Sequence, residues 1–408
     1  MNNPEVWYGV MRVVELFAGV GGFRVGFEET SAFEIVWANQ WEPSTKVQHA
    51  AQVYVTKWGL EQTDDPDVYM SGDDDVFVNK NISDIDADSI PDHDLICGGF
   101  PCQDYSVART ISGELGIEGE KGKLWIPIRN IIRHKRPRPR VVLLENVPRL
   151  LNSPAETRGL NFTIILNDLI AMGYHVEWRV INAADYGFPQ KRKRVFIIAY
   201  LRGLVPTPMT PGRIKQWLES DGPFAESFPI AGKPPKEHIK ITLEPNPRNK
   251  SPYQNTGYAW VDEGNNHCML TAKTKADYTG KKQNLGDVIE ASHDPDYEVV
   301  DKEKLRKYRY IKGEQKEWRI RKSDKKIAES IRTTSGNLWD LYQNCTKGYD
   351  SELWKQSRAD ESYLEGVSKG IVYNYTAGSM SYPDPLDKPS RTVVTAEIGR
   401  SVSRMRHI

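Results

Sequence analysis

The chain has 408 residues with 55 Lys plus Arg against 55 Asp plus Glu, so its net charge of zero excludes a protein that coats nucleic acid by bulk charge, though a local basic groove remains open. That length admits two domains, or one large α/β domain with an insertion. The four cysteines (Cys97, Cys102, Cys268, Cys345) form no CxxC pair and no zinc-type spacing, residues 1–5 lack signal-peptide character, and no apolar run could span a bilayer; a soluble cytoplasmic protein with no metal and no membrane partner is expected.

From Met11 to about Leu201, apolar strand-like runs alternate with helical stretches. That order predicts an α/β fold with a doubly wound, mostly parallel sheet. The first run, Val13 to Phe17, enters the glycine turn Ala18-Gly19-Val20-Gly21-Gly22, which resembles a nucleotide-binding βα turn in kind but lacks the GxGxxG spacing of a dinucleotide cradle. The second, Glu34 to Ala38, leads to Asn39-Gln40-Trp41-Glu42, where polar groups could meet ribose hydroxyls and an indole could stack on adenine or simply pack. Residues 61–94 are crowded with Asp and read most simply as a solvated loop.

The third run, Asp94 to Cys97, delivers Gly98-Gly99-Phe100-Pro101-Cys102-Gln103. Glycines permit close backbone approach, Pro101 stiffens the turn, and the carboxyl end of a parallel strand is where open α/β sheets place their chemistry. Cys102 is therefore the candidate nucleophile. The fourth run, Val141 to Leu144, ends in Glu145-Asn146-Val147 and points a carboxylate into the same crevice; buried there, it would have a raised pKa and could donate a proton. Val176 to Ile181 and Val195 to Tyr200 are joined by a link too short for a helical crossover, so the last strand is expected to run antiparallel. Gln190-Lys191-Arg192-Lys193-Arg194 opens that strand, with its arginines aimed at the crevice or into solvent. Beyond Leu201 frequent prolines signal a linker into a second, loop-rich region, in which Lys302 to Lys326 interleaves Tyr308, Tyr310 and Trp318 with basic residues and could track phosphates or form a solvated charged helix.

Taken together, ELFAGVGGFR, GGFPCQ, ENV and QKRKR resemble, in order and spacing, the DNA (cytosine-5) methyltransferases that use S-adenosylmethionine, and the resemblance covers about residues 10–200, with Gly122-Lys123-Leu124-Trp125 included. It returns weakly at Lys388 to Thr395. It implies a Rossmann-like catalytic domain over 1–201, a smaller target-recognition domain over 202–390, and an incomplete return segment over 391–408. It implies restriction-modification chemistry: a methyl group passes to C5 of a flipped-out cytosine in double-stranded DNA through a covalent Cys102–C6 adduct, leaving S-adenosylhomocysteine. Glu145, Arg192 and Arg194 take the base-contacting roles, Phe100 offers its carbonyl to the cytosine amine, Asn146 braces the cysteine loop, and Pro101, Gln103, Ser106 and Arg109 form the segment that closes over the base. Phe17, Ala18, Gly19, Gly21, Gly22, Gln40, Trp41, Glu42, Asn81, Ile82 and Leu124 are expected to hold the cofactor.

Three positions depart from the family pattern. Gln40 stands where a ribose-binding Glu is usual, with Glu42 as rival, and Asn81 stands where an adenine-binding Asp is usual. The sequence stops at Arg404-Met405-Arg406-His407-Ile408, where the last two family motifs should begin, so a second polypeptide supplying them is one expectation and a shortened chain another. An RNA methyltransferase is the rival enzyme, but its Cys-Phe-Thr signature is missing; a non-catalytic DNA-binding partner of a split enzyme is the rival from another class. A restriction or phage-defence system beside the gene and association with the nucleoid complete the expectations.

Overall fold

The computed structural model describes residues 9–43, 45–72, 75–101, 125–154, 157–206, 209–232, 239–243, 249–289 and 385–392, with the backbone alone of 315–320 and 372–377. The chain divides into two compact units, Met1–Gln283 and Asn284–Ile408.

In the first unit the elements follow in the order β1 Met11–Leu16, α1 Gly22–Glu28, β2 Phe33–Asn39, α2 His49–Trp58, β3 Glu61–Gln62, β4 Val68–Ser71, β5 Asp75–Val78, β6 Leu95–Gly99, α3 Trp125–His134 and β7 Val141–Asn146. Then come α4 Leu160–Ala171, β8 Tyr174–Asn182, β9 Gln190–Lys191, β10 Lys193–Leu201, α5 Pro211–Gln216, α6 Pro223–Ser227, β11 Ile230–Ala231, β12 Ile239–Lys240, β13 Thr256–Val261, β14 His267–Ala272 and β15 Lys275–Ala276. Among the described residues the central sheet has twelve strands in the order β12-β14-β13-β8-β10-β7-β6-β1-β2-β5-β4-β3.

Strands β5, β2, β1, β6 and β7 run parallel. As expected from the short link before it, β10 is antiparallel to both neighbours, β7 and β8. The chain leaves β1 toward β2 and β5 on one side and returns through β6 and β7 on the other, so the loops after β1 and β6 part at the topological switch point, the usual ligand position in such sheets.

Each central strand alternates between two cores, as period-two side chains require. Val13, Leu95 and Cys97 pack with Tyr54 of α2 on one face. Val14, Leu16, Ile96, Val142 and Leu144 pack with α3 and α4 on the other. Residues buried on both faces explain why these strands read as continuous apolar runs.

Two expectations change. The acidic stretch 61–94 is not simply a solvated loop: β5 joins the sheet beside β2, Phe77 is fully buried, and Asp75 holds Arg24 at 2.6 Å. The sheet also continues past Leu201, because β13 pairs with β8 and β14 extends it. The limits 1–201 and 202–390 are those that the family resemblance implies; by compactness the first unit runs to Gln283. In the second unit, β16 Gln315–Ile320 and β17 Val372–Ala377 form an antiparallel pair.

Candidate active site

The glycine turn after β1 is fixed by its own geometry. Phe17, Gly19 and Gly21 all have positive φ (53°, 57° and 81°), which only a glycine-rich turn adopts at low cost. Two bonds hold it to the end of β2, Ala18 N–H donating to the Asn39 carbonyl at 2.9 Å and Gly19 N–H to Gln40 Oε1 at 2.8 Å, and Gly21 N–H closes the turn on the Ala18 carbonyl at 2.8 Å. Gln40 thus spends its amide oxygen on the turn. Asn39, buried to 1% exposure, donates to the carbonyls of Val78 and Lys80 and so ties the ends of β2 and β5 together.

Below the turn lies a polar network that sequence reading did not single out. Glu15 is fully buried and accepts from Tyr54 Oη at 3.1 Å. Burial pushes its carboxyl up to about 7, against the opposing bonds from Tyr54 and the backbone of Arg24 and Phe23. Arg24 bridges Asp75 and Glu28 and lies over the Trp58 ring at 4.6 Å. A charged residue one step before the apolar end of a strand was the available signal.

At the carboxyl end of β6, Gly98 faces Leu16 of β1 so closely that a Cβ would stand 2.5 Å from the Leu16 carbonyl oxygen. Gly99 faces Glu145 in register, and a Cβ there would stand 3.1 Å from the carboxylate. Phe100 is buried, and its carbonyl accepts from Asn146 Nδ2 at 2.9 Å. Pro101 follows as an exposed residue. Cys102, Gln103, Ser106, Arg109 and Leu124 lie outside the described residues.

Glu145 sits opposite Phe196 on β10, and Arg194, two residues earlier on the same face, reaches it with Nε to Oε1 at 2.5 Å. Arg194 also gives Nη1 to the Lys193 carbonyl at 2.8 Å, and among the described residues Nη2 makes no further hydrogen bond. Burial raises the Glu145 carboxyl above its ordinary range, while the charges of Arg194 and Arg192 oppose that rise. Both groups are about one-fifth exposed, so the pair is sheltered yet reachable.

One cleft of about 580 Å³ gathers these residues: Glu145, Arg192 and Arg194 share it with Gly99 and with Phe17, Ala18 and Gly22 of the glycine turn. Its outer wall is apolar, from Phe188, Phe196 and Phe228. Gln40, Trp41, Glu42, Asn81 and Ile82 do not line it. Trp41 is 39% exposed beyond β2, Glu42 has its backbone bracketed by the Gln48 side chain, and Ile82 is buried in the core against which Phe17 packs. Asn81 Oδ1 accepts from Ser83 N–H at 3.1 Å, capping a short turn.

Behind the cleft, Arg179 on β8 is fully buried and donates to the carbonyls of Leu218, Phe224 and Phe228 and to Glu177. It fastens the segment that brings Phe228 to the wall. No sequence pattern marks that role, because a strand Arg beside a Glu normally reads as solvent-facing.

Residues 11–376 match the family model described as C-5 cytosine-specific DNA methylase. The chain is 35% identical to the Type II methyltransferase M.Sau3AI of Staphylococcus aureus over 408 aligned residues, covering 97% of this chain and 82% of that protein. It is 33% identical to M.NgoBI of Neisseria gonorrhoeae and 33% identical to M.HhaI of Haemophilus parahaemolyticus, covering 53% and 48% of this chain and 60% and 50% of theirs. Glycine turn, cleft carboxylate, paired arginines and these matches converge: the chain belongs to the C-5 cytosine-specific DNA methylases and is a DNA (cytosine-5-)-methyltransferase of restriction-modification type.

Proposed function

We propose that the chain methylates C5 of a cytosine flipped out of double-stranded DNA, through a covalent bond between Cys102 and C6. The observation that carries this is the shared cleft of Glu145, Arg192, Arg194 and the glycine turn, beside the strand whose end leads through Pro101 to Cys102. A base stacked in a duplex cannot reach such a recess, so it must leave the helix at a cost of a few kcal/mol.

S-adenosylmethionine, when bound, supplies an electrophilic methyl group. The residues present fit it: apart from chain neighbours, no atom of the described residues lies within 4 Å of where a Cβ would stand on Gly19 or Gly22, so both leave room over the turn. Phe17 and Trp41 offer apolar faces for the adenine, Ile82 and Leu124 complete the apolar set that the family resemblance implies, and Asn81 offers an amide. Gln40 orders the turn through its oxygen and retains its amide nitrogen for the ribose, while Glu42 makes no hydrogen bond through its carboxylate among the described residues and is the stronger ribose acceptor.

In the reaction the Cys102 thiolate forms a bond to C6, and the C5=C6 pair becomes nucleophilic at C5. Protonated Glu145 donates to N3 and so accepts the charge that builds on the ring; its burial favours that protonated form. Arg194 holds O2 and Arg192 adds a second positive group. The Phe100 carbonyl, held by Asn146, stands at the end of β6 where the resemblance puts the acceptor for the exocyclic amine. Once C5 carries the methyl group, its proton leaves to a base, the electron pair reforms C5=C6, and the thiolate departs. Target selection falls to residues beyond the central sheet within 202–390. The restriction-modification relatives support a role in marking DNA against a partner nuclease.

DNA of mixed sequence in which every cytosine is 5-fluorocytosine tests the covalent step, because fluorine cannot leave as a proton. With S-adenosylmethionine, the full chain is expected to form a denaturation-resistant protein–DNA adduct that Cys102→Ala does not form. An adduct formed equally by Cys102→Ala contradicts the assignment.

A further inference from the structure

Phe188 is 57% exposed, the most exposed large apolar side chain among the described residues, yet its turn is held by packing and hydrogen bonds on both sides of it. Gly187, at φ 98°, packs so tightly that a Cβ would meet the Lys281 carbonyl oxygen at 2.7 Å. Its own carbonyl accepts from Gln283 N–H at 2.8 Å, and Phe188 N–H donates to Ala183 at 3.2 Å. Tyr186, one residue earlier, is buried, gives its hydroxyl to Pro229, and meets Phe228 edge-on at 5.1 Å and Tyr278 at 6.2 Å. The backbone therefore cannot relax to hide the ring. An exposed phenyl group on a clamped turn forgoes the stabilisation that burial would give it, which is the pattern of a binding surface.

The ring lines the same cleft as Glu145, Arg192 and Arg194, with Val20, itself 54% exposed, on the glycine turn. Carboxyl and guanidinium donors beside a flat apolar face match a planar ring with polar edges. A phosphate would use the arginines and not the phenyl group; an aliphatic chain would use the phenyl group and not the arginines. A pyrimidine uses both, its edge on the donors and its face on the ring.

Resting on the proposed methylation of cytosine, we propose that Phe188 is a positioning residue that stacks on the extrahelical cytosine and holds it in the plane addressed by Glu145 and Arg194. The cofactor does not need this contact, so affinity for S-adenosylmethionine is independent of it.

The test uses the full chain, with its methylation site first mapped by bisulfite sequencing of DNA treated with wild type. Wild type, Phe188→Ala, Phe188→Leu and Phe188→Tyr are compared by kcat and KM for that DNA, by binding to the same DNA with an abasic site in place of the target cytosine, by cofactor affinity and by thermal melting. Phe188→Ala is expected to lower kcat/KM by about 10- to 100-fold, the range for loss of one base–aromatic stack. Phe188→Leu, which keeps bulk but not the flat face, should fall nearly as far, and Phe188→Tyr should restore activity. Binding to the abasic DNA, cofactor affinity and melting should match wild type for all. Full activity in Phe188→Leu overturns the proposal, as does an equal loss of affinity for abasic DNA, a selective loss of cofactor affinity, or a fall in melting that accounts for the loss. Absence of methylation by wild type would instead overturn the reading on which the proposal rests.

Discussion

Glu145 and Arg194 meet at 2.5 Å diagonally across β7 and β10, with Phe196 directly opposite Glu145 on the same face. An antiparallel last strand creates this contact, because its beginning lies beside the carboxyl end of β7, where the parallel loops carry Cys102 and the glycine turn. Had β10 run parallel, Arg194 would lie at the far end of the sheet.

The pair sets a pH dependence with a definite sign. The proposed mechanism uses protonated Glu145, so activity should fall as pH rises through its pKa, which burial raises and Arg194 lowers. Arg194→Ala therefore moves the alkaline fall to higher pH while reducing the maximal rate; Glu145→Gln removes that fall and reduces the rate by about 10²- to 10⁴-fold. Single-turnover methyl transfer across pH measures both, and an alkaline limb moved to lower pH in Arg194→Ala would contradict the assignment.

Gly98 and Gly99 should separate stability from activity. A methyl group on Gly98 collides with the Leu16 backbone, which belongs to a central strand and cannot move aside, so Gly98→Ala should cost about 1–3 kcal/mol in urea unfolding. On Gly99 the methyl group meets, among the described residues, the end of the Glu145 side chain at 3.1 Å. Gly99→Ala should melt close to wild type and lose most methyl transfer.

Buried Glu15 links stability to pH. Its folded pKa of about 7 stands above the ordinary 4.5, so the native state binds more protons than the unfolded state between those values. Its contribution is fully present below pH 4.5 and is lost as pH rises through 7. Glu177, also pushed up to about 7 by burial, acts with the same sign. The melting temperature of Glu15→Gln should decline less steeply over this interval than that of wild type; an equal slope would show that Glu15 is already ionised in the fold.

Gln40 and Glu42 should part in their effects on cofactor binding. Gln40→Leu removes the acceptor of Gly19 N–H, worth about 1 kcal/mol, and should weaken S-adenosylmethionine about fivefold by loosening the turn. Glu42→Gln should weaken it without altering proteolytic protection of residues 17–22. Calorimetric titration with limited proteolysis distinguishes the two.

Strand positions and directions were legible where local chemistry and tertiary demand coincide. Val13 to Phe17, Asp94 to Cys97 and Val141 to Leu144 are apolar on both faces and became β1, β6 and β7, while the short Asp185 to Pro189 link fixed the direction of β10. Gly98 and Gly99 read as room for a ligand, whereas Gly98 makes room for Leu16 of β1 and Gly99 for Glu145; Glu145 and the arginines stand at strand ends, as their runs suggest. What escaped depends on partners distant in sequence. Asp75 reads as one Asp among many until Arg24 is placed beside it, and Arg179 with Glu177 reads as a solvated edge until β13 covers β8 and the 218–228 carbonyls arrive. The hairpin β13–β14 was assigned to a separate domain because proline frequency after Leu201 marks a change of texture and not a change of sheet.

The most direct test of the central claim is mass spectrometry of nucleosides from unmethylated double-stranded DNA incubated with the full chain and S-adenosylmethionine, beside Cys102→Ala and a transfer RNA control. The account predicts 5-methyl-2′-deoxycytidine from DNA with wild type only. Methylated cytosine from the RNA alone, or the same DNA product from Cys102→Ala, would contradict it.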